Sequence, residues 1–150
     1  MRAYVALGSN RGDRARNLAR ALDAMPAAAI SVRRLSAVEE TQPVGATGRR
    51  RFLNAVAEVS TGLSPRVLLR RLRQIERRLG RHAGGGRNRP RTVDLDLLLY
   101  GRARVGGREL ALPHPRFAQR GFVLDGLAEL APSLRAPGSS RSMRQLRRRL

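Results

Sequence analysis

Cysteine and lysine are both absent from this 150-residue chain, and its 31 basic residues other than histidine are all arginine. Without lysine there is no Walker A loop, no Schiff-base lysine and no kinase-type β3 lysine. Without cysteine there is no thiol nucleophile, zinc ribbon or dithiol redox pair. The two histidines, His82 and His114, are too few and too far apart for a zinc site. Only five residues are aromatic (Tyr4, Phe52, Tyr100, Phe117, Phe122), which leaves little for a platform that stacks single-stranded bases. No apolar run approaches the roughly 18 residues of a membrane helix. The chain passes from Met1-Arg2 straight into Ala3-Tyr4-Val5-Ala6-Leu7, with no room for a signal-peptide apolar region, so a cytoplasmic protein without membrane association is expected. The formal charge of +20 is spread along the whole chain beside abundant Ala, Gly and Leu. It reads as coding bias that favours solubility and anionic substrates, with no specific nucleic-acid partner expected. What survives these exclusions is metal held by carboxylates together with arginine, a combination suited to polyphosphate.

The segment Arg89-Pro90-Arg91-Thr92-Val93-Asp94-Leu95-Asp96-Leu97-Leu98-Leu99-Tyr100 holds two of only five aspartates. Its apolar and β-branched residues predict a strand, in which residues i and i+2 share a face roughly 6.5–7 Å apart. Asp94 and Asp96 then point one way while Val93, Leu95 and Leu97 point the other. Two carboxylates side by side suit a hard cation such as Mg²⁺, which completes its shell with water and phosphate oxygens. Alternating aspartates also occur on ordinary solvated strand faces. The run Leu97-Leu98-Leu99 argues instead for a buried strand, where unpartnered carboxylates are costly.

Around this strand the chain reads β-α-β-β-α-β-β-α. A strand over 3–7 ends in the turn-rich Gly8-Ser9-Asn10-Arg11-Gly12-Asp13, and a helix follows over about 14–25. A second strand runs from Ile30 to about Val38. Residues 52–61 alternate, placing Phe52, Asn54, Val56 and Glu58 on one face. Ser64-Pro65 starts a helix whose stripe is Leu68, Leu72, Ile75 and Leu79, and Gly80 ends it. Glu76 lies at the edge of that stripe, where pairing with an arginine is its simplest fate. Gly84-Gly85-Gly86 mark an arginine-bearing loop over 81–89, Gly106-Gly107 a hairpin, and Pro113-His114-Pro115 a rigid turn. A helix is predicted over about 116–130, followed by a basic tail ending as a solvated helix. Length and element order favour one α+β domain over 1–150 with a mainly antiparallel sheet, expected as a monomer.

Several fragments, in order, resemble the 6-hydroxymethyl-7,8-dihydropterin pyrophosphokinase family. They are Ala6-Leu7-Gly8-Ser9-Asn10, Glu40-Thr41-Gln42-Pro43-Val44-Gly45, Phe52-Leu53-Asn54-Ala55 and Gln74-Ile75-Glu76 with Gly80-Arg81. Pro90-Arg91-Thr92-Val93-Asp94-Leu95-Asp96, Pro113-His114-Pro115-Arg116 and Arg120-Gly121-Phe122-Val123-Leu124 complete the set. The resemblance implies a ferredoxin-like α/β sandwich that transfers pyrophosphate from ATP to a pterin alcohol, releasing AMP. It also implies two Mg²⁺ ions on Asp94 and Asp96, and catalytic arginines at Arg81 and Arg91. By the same resemblance, Thr41, Gln42, Val44, Phe52, Asn54 and Phe122 would bind the pterin. Leu69, Arg73, Glu76, Leu97, His114 and Arg120 would contact ATP.

The chain departs from the family pattern in places. Ala83 stands where some members have a loop arginine and Asn88 where some have tryptophan. Arg73 replaces a glutamine, Pro115 a tyrosine and Glu109 an arginine. Two other readings remain open on the residues alone: another Mg²⁺-dependent nucleotidyl- or phosphotransferase, and a basic RNA-binding module of similar shape.

Overall fold

The computed structural model describes residues 1–42, 50–80 and 92–150. Its strands are β1 (Arg2–Ser9), β2 (Ile30–Leu35), β3 (Glu39–Thr41), β4 (Phe52–Thr61) and β5 (Asp94–Tyr100). The helices are α1 (Arg14–Ala24), α2 (Pro65–Gly80), α3 (Gly121–Leu130) and α4 (Met143–Arg148). The sheet order is β2-β4-β1-β5 with every neighbouring pair antiparallel, and β3 pairs with the start of β4. This is the split β-α-β arrangement of a ferredoxin-like α+β fold.

Local chemistry explains the elements. Asp13 accepts a bond from the Arg16 N–H at 3.1 Å and caps α1, so the turn-rich segment after β1 also starts a helix. On α2 the predicted stripe of Leu68, Leu72, Ile75 and Leu79 is buried. These side chains pack with Ala3, Val5, Leu7, Ala57, Val59, Val93, Leu95 and Leu97 on one face of the sheet. The other face meets α3 and α4 through Tyr4, Ala6, Val56, Leu98, Leu99, Val123, Leu124, Leu127 and Met143. Gly126 lets α3 sit close to the sheet: a Cβ there would lie 2.4 Å from Val56 Cγ2. A bulge in β5, where Tyr4 pairs with Leu99 but Val5 pairs with Leu97, lets Leu98 and Leu99 both reach this second core.

Three expectations shift. The strand expected to reach Val38 ends at Leu35, because Ser36 takes over the ladder: its Oγ accepts from the Val56 N–H at 2.8 Å. The helix expected from residue 116 begins at Gly121. Arg120 is extended (φ −106°, ψ 116°) and separates α3 from a 3-10 turn at Phe117–Gln119. The basic tail is not merely solvated, since α4 is closed by a Ser142–Gln145 capping box and buries Met143 against α3.

The outer edge of β5 is also covered. Glu76 accepts from the Leu95 N–H at 2.8 Å, Arg73 donates to the Leu95 carbonyl at 2.7 Å, and the His114 N–H donates to the Leu98 carbonyl at 2.9 Å. Side chains of α2 and the Pro-His-Pro turn thus replace a neighbouring strand. A fourth expectation shifts as well: the strand expected after β5 is reduced to one bridge, Val105 paired to Leu112 around Gly106-Gly107.

Candidate active site

Three strands end beneath an opening that α3 does not cover. On this face, β1 contributes Ala6 and Gly8, β4 contributes Phe52 and Asn54, and β5 contributes Asp94 and Asp96. Registers of Gly8 with Asn54 and with Asp94 place the amide and the carboxylate on either side of the glycine. A Cβ on Gly8 would lie 2.9 Å from Asn54 Oδ1 and 3.6 Å from Phe52 Cδ1, so the floor of the site depends on the missing side chain. The need for a small residue at Gly8 follows from strand pairing, which no local signal encodes.

The opening is a cavity of about 560 Å³ lined by Ala6, Leu7, Gly8, Thr41, Gln42, Phe52, Asn54, Asp94, Asp96, Gln119, Arg120, Gly121 and Phe122. Asn54 is buried and donates through Nδ2 to Thr41 Oγ1 at 2.5 Å. Phe52 and Phe122 are half-buried on β4 and at the first turn of α3. Glu40 steadies the rim. It accepts from Arg14 at 2.9 Å and Arg51 at 3.2 Å, and these hydrogen bonds hold its carboxyl below the usual range.

A second cavity of about 240 Å³ lies beside the first, lined by Leu69, Arg73, Asp96, Leu97, Gly107, Arg108, Glu109, Leu110, Ala111, His114 and Pro115. Asp96 lines both. Its Oδ2 lies 3.5 Å from Arg120 Nη1, and the two side chains remain about one-third exposed (32% and 35%). His114 Nδ1 accepts from the Arg116 N–H at 3.1 Å, which leaves Nε2–H as the ring's donor. Burial, reinforced by Arg120 and Arg116 and opposed by Asp96, holds its pKa below the ordinary 6.5, so the ring is neutral at pH 7.

Most of the expected residues that the structure describes line one of these two cavities. Thr41, Gln42, Phe52, Asn54, Phe122, Asp94 and Arg120 line the larger cavity, and Leu69, Arg73, Leu97 and His114 line the smaller, with Asp96 common to both. Arg120, expected with ATP, lines the larger cavity and is within reach of Asp96, which borders both. Glu76 lines neither cavity: its side chain is buried and binds Arg73 at 2.9 Å as well as the Leu95 N–H. Val44, Arg81 and Arg91 lie outside the described residues.

The family model for 7,8-dihydro-6-hydroxymethylpterin-pyrophosphokinase (HPPK) matches residues 4–132. A 2-amino-4-hydroxy-6-hydroxymethyldihydropteridine pyrophosphokinase from Bacillus subtilis (strain 168) is 42% identical over 139 residues, covering 92% of this chain and 83% of that protein. A folate synthesis bifunctional protein from Arabidopsis thaliana is 44% identical over 126 residues, which is 84% of this chain and 26% of that longer protein. A crystal structure of an HPPK-DHPS in complex with substrates shares the fold with a TM-score of 0.75 at 12% identity, covering 99% of this chain and 43% of that one. With the family's pattern running through nearly all of its fold, the chain belongs to the 7,8-dihydro-6-hydroxymethylpterin pyrophosphokinases, enzymes of the transferase class.

Proposed function

We propose that residues 1–150 act as one catalytic domain, monomeric and cytoplasmic, that transfers pyrophosphate from ATP to 6-hydroxymethyl-7,8-dihydropterin in folate synthesis. The observation that carries this reading is the shared wall. Asp96 borders a cavity flanked by two phenylalanines and a buried amide, and also a cavity lined by Arg73 and His114. A flat heterocycle fits between Phe52 and Phe122, with the Asn54 amide available to its edge. The smaller cavity has room for part of a nucleotide, where Arg73 offers a cation and His114 a neutral donor.

The donor set suits Mg²⁺: oxygen atoms only, from two carboxylates on one strand face, leaving room for phosphate oxygens and water. Two such ions would neutralise the triphosphate and align its β-phosphorus with the incoming hydroxyl. Asp94 and Asp96 would hold them, and Arg120 would balance charge beside Asp96. The pterin hydroxyl oxygen then bonds to the β-phosphorus, the bond from that phosphorus to the α,β-bridging oxygen breaks, AMP departs, and the hydroxyl proton passes to solvent. No covalent enzyme intermediate is needed, so rate comes from alignment and charge stabilisation. On the family resemblance, Arg81 and Arg91 supply the further positive charge and Val44 completes the pterin pocket.

The test is to incubate the protein with Mg²⁺-ATP, with and without 6-hydroxymethyl-7,8-dihydropterin, and quantify AMP. AMP that needs both the pterin and the metal supports the reading. AMP formed with a different acceptor, or none from folded protein, overturns it.

A further inference from the structure

The backbone ladder between β1 and β5 ends at the pair Gly8–Asp94. One residue further along β1, the buried Ser9 continues it with a side chain: Ser9 Oγ donates to the Thr92 carbonyl at 2.7 Å. That hydroxyl is itself held. Asn17, buried on α1, donates through Nδ2 to Ser9 Oγ at 3.1 Å and to the Arg11 carbonyl at 2.7 Å. The hydrogen bonds form a chain running from α1, through the end of β1, to the backbone two residues ahead of Asp94. Neither of these two side chains lines either cavity.

We propose that Ser9 and Asn17 are positioning residues of the metal site. By fixing the Thr92 carbonyl they set the direction from which β5 delivers the Asp94 carboxylate. The inference rests on the metal reading of Asp94 and Asp96 given above. Its physical basis is that from Leu95 onward β5 is held on both edges, by β1 on one side and by Glu76 and Arg73 on the other, whereas residues 92–93 lie ahead of the last ladder pair. Val93, fully buried, anchors this segment by packing, which does not by itself fix the direction of the neighbouring carbonyl. The Ser9 rung fixes that direction. Asn17 directs both its N–H bonds to oxygen acceptors, which leaves the Ser9 proton committed to Thr92.

Outer partners of metal ligands commonly contribute about 10–100-fold to affinity or activity. Ser9→Ala and Asn17→Ala are therefore expected to weaken Mg²⁺ affinity about tenfold, measured by calorimetric titration of Mg²⁺ into the protein saturated with a non-hydrolysable ATP analogue. They should lower kcat by a similar factor while pterin affinity stays within about twofold and the melting temperature changes little. Ser9→Thr keeps the hydroxyl and should restore Mg²⁺ affinity. Unchanged Mg²⁺ affinity in both alanine variants would overturn the proposal. So would parallel losses of Mg²⁺ affinity, pterin affinity and melting temperature, since that pattern marks a general folding role. If the parent protein releases no AMP, the functional reading fails alone, and the Mg²⁺ titrations still decide whether these residues position the site.

Discussion

The face of the sheet that meets α3 has two ends, and they treat polar groups in opposite ways. At one end Glu58 is almost completely buried and saturated. It accepts from Tyr4 Oη at 3.0 Å and from Arg34 at 3.1 and 3.2 Å, while Arg34 also donates to the Leu130 carbonyl at the end of α3. Burial together with the Glu58 carboxylate pushes the Tyr4 pKa up to about 12, and Arg34 holds the Glu58 carboxyl below its usual range. At the other end, on β5, helix cover stops by Asp96, which lies across β1 from Val56, both paired with Ala6. There Asp96 is about one-third exposed and meets Arg120 only across 3.5 Å. A carboxylate whose partners are supplied by the protein serves stability. One left partly to solvent, at the junction of two cavities, can serve a ligand.

Removing a carboxylate from each end should break the comparison most sharply if it is wrong. Asp96→Ala is expected to lower AMP release by about a thousandfold or more, roughly 4 kcal/mol of transition-state stabilisation, with a nearly unchanged melting curve. Wild-type turnover in that variant would remove Asp96 from the metal site. Glu58→Ala should do the reverse. Losing a buried acceptor shared by Tyr4 and Arg34 is expected to destabilise the fold by about 2–3 kcal/mol in urea denaturation, with kcat per folded molecule within about twofold. A large drop in kcat without loss of stability would show that the two ends are not separate.

Acid sharpens the same contrast. Glu58 has a folded pKa below its ordinary 4.5, so its contribution is full above about pH 4.5 and is lost as pH falls through the lower folded value. Glu40, held low by Arg14 and Arg51, contributes with the same sign. Glu39 acts in the opposite direction: burial and Asp125 raise its pKa, so its ionisation opposes folding as pH rises past 4.5. Stability measured between about pH 3 and pH 6 should fall on acidification, and Glu58→Ala should flatten the slope. An unchanged slope in the variant would show that Glu58 is not the group that titrates.

The smallest expected effect is at the open floor. Gly8→Ala places a methyl group 2.9 Å from Asn54 Oδ1, so Asn54 must shift. Pterin affinity is expected to fall about tenfold, roughly 1.4 kcal/mol, while Mg²⁺-nucleotide affinity changes little. Equal losses for both ligands would mean that the two cavities are not separately built.

Much of this arrangement was legible in the residue order. Alternation in β4 put Phe52 and Asn54 on one face, and Asp94-Leu95-Asp96 set the carboxylates opposite the apolar positions, because a strand's period of two needs no tertiary information. The apolar stripe of α2 was equally plain. What escaped depended on partners distant in sequence. Ser36 ends β2 because Val56 lies beside it, and Gly8 must be small because the Asn54 and Phe52 side chains of β4 crowd it. Glu76 is buried because the open edge of β5 presents an N–H to it. Arg120 interrupts the helix expected from residue 116 and thereby brings Phe122 into the first turn of α3, facing the cavity.

The most direct test is to grow crystals with a non-hydrolysable ATP analogue and the pterin, replace Mg²⁺ by Mn²⁺, and map its anomalous scattering. Peaks beside the Asp94 and Asp96 carboxylates, at about 2.0–2.2 Å and between the two cavities, are the expected result. No peak there in protein that still releases AMP with Mn²⁺ would contradict the assignment of the open end as the reaction site.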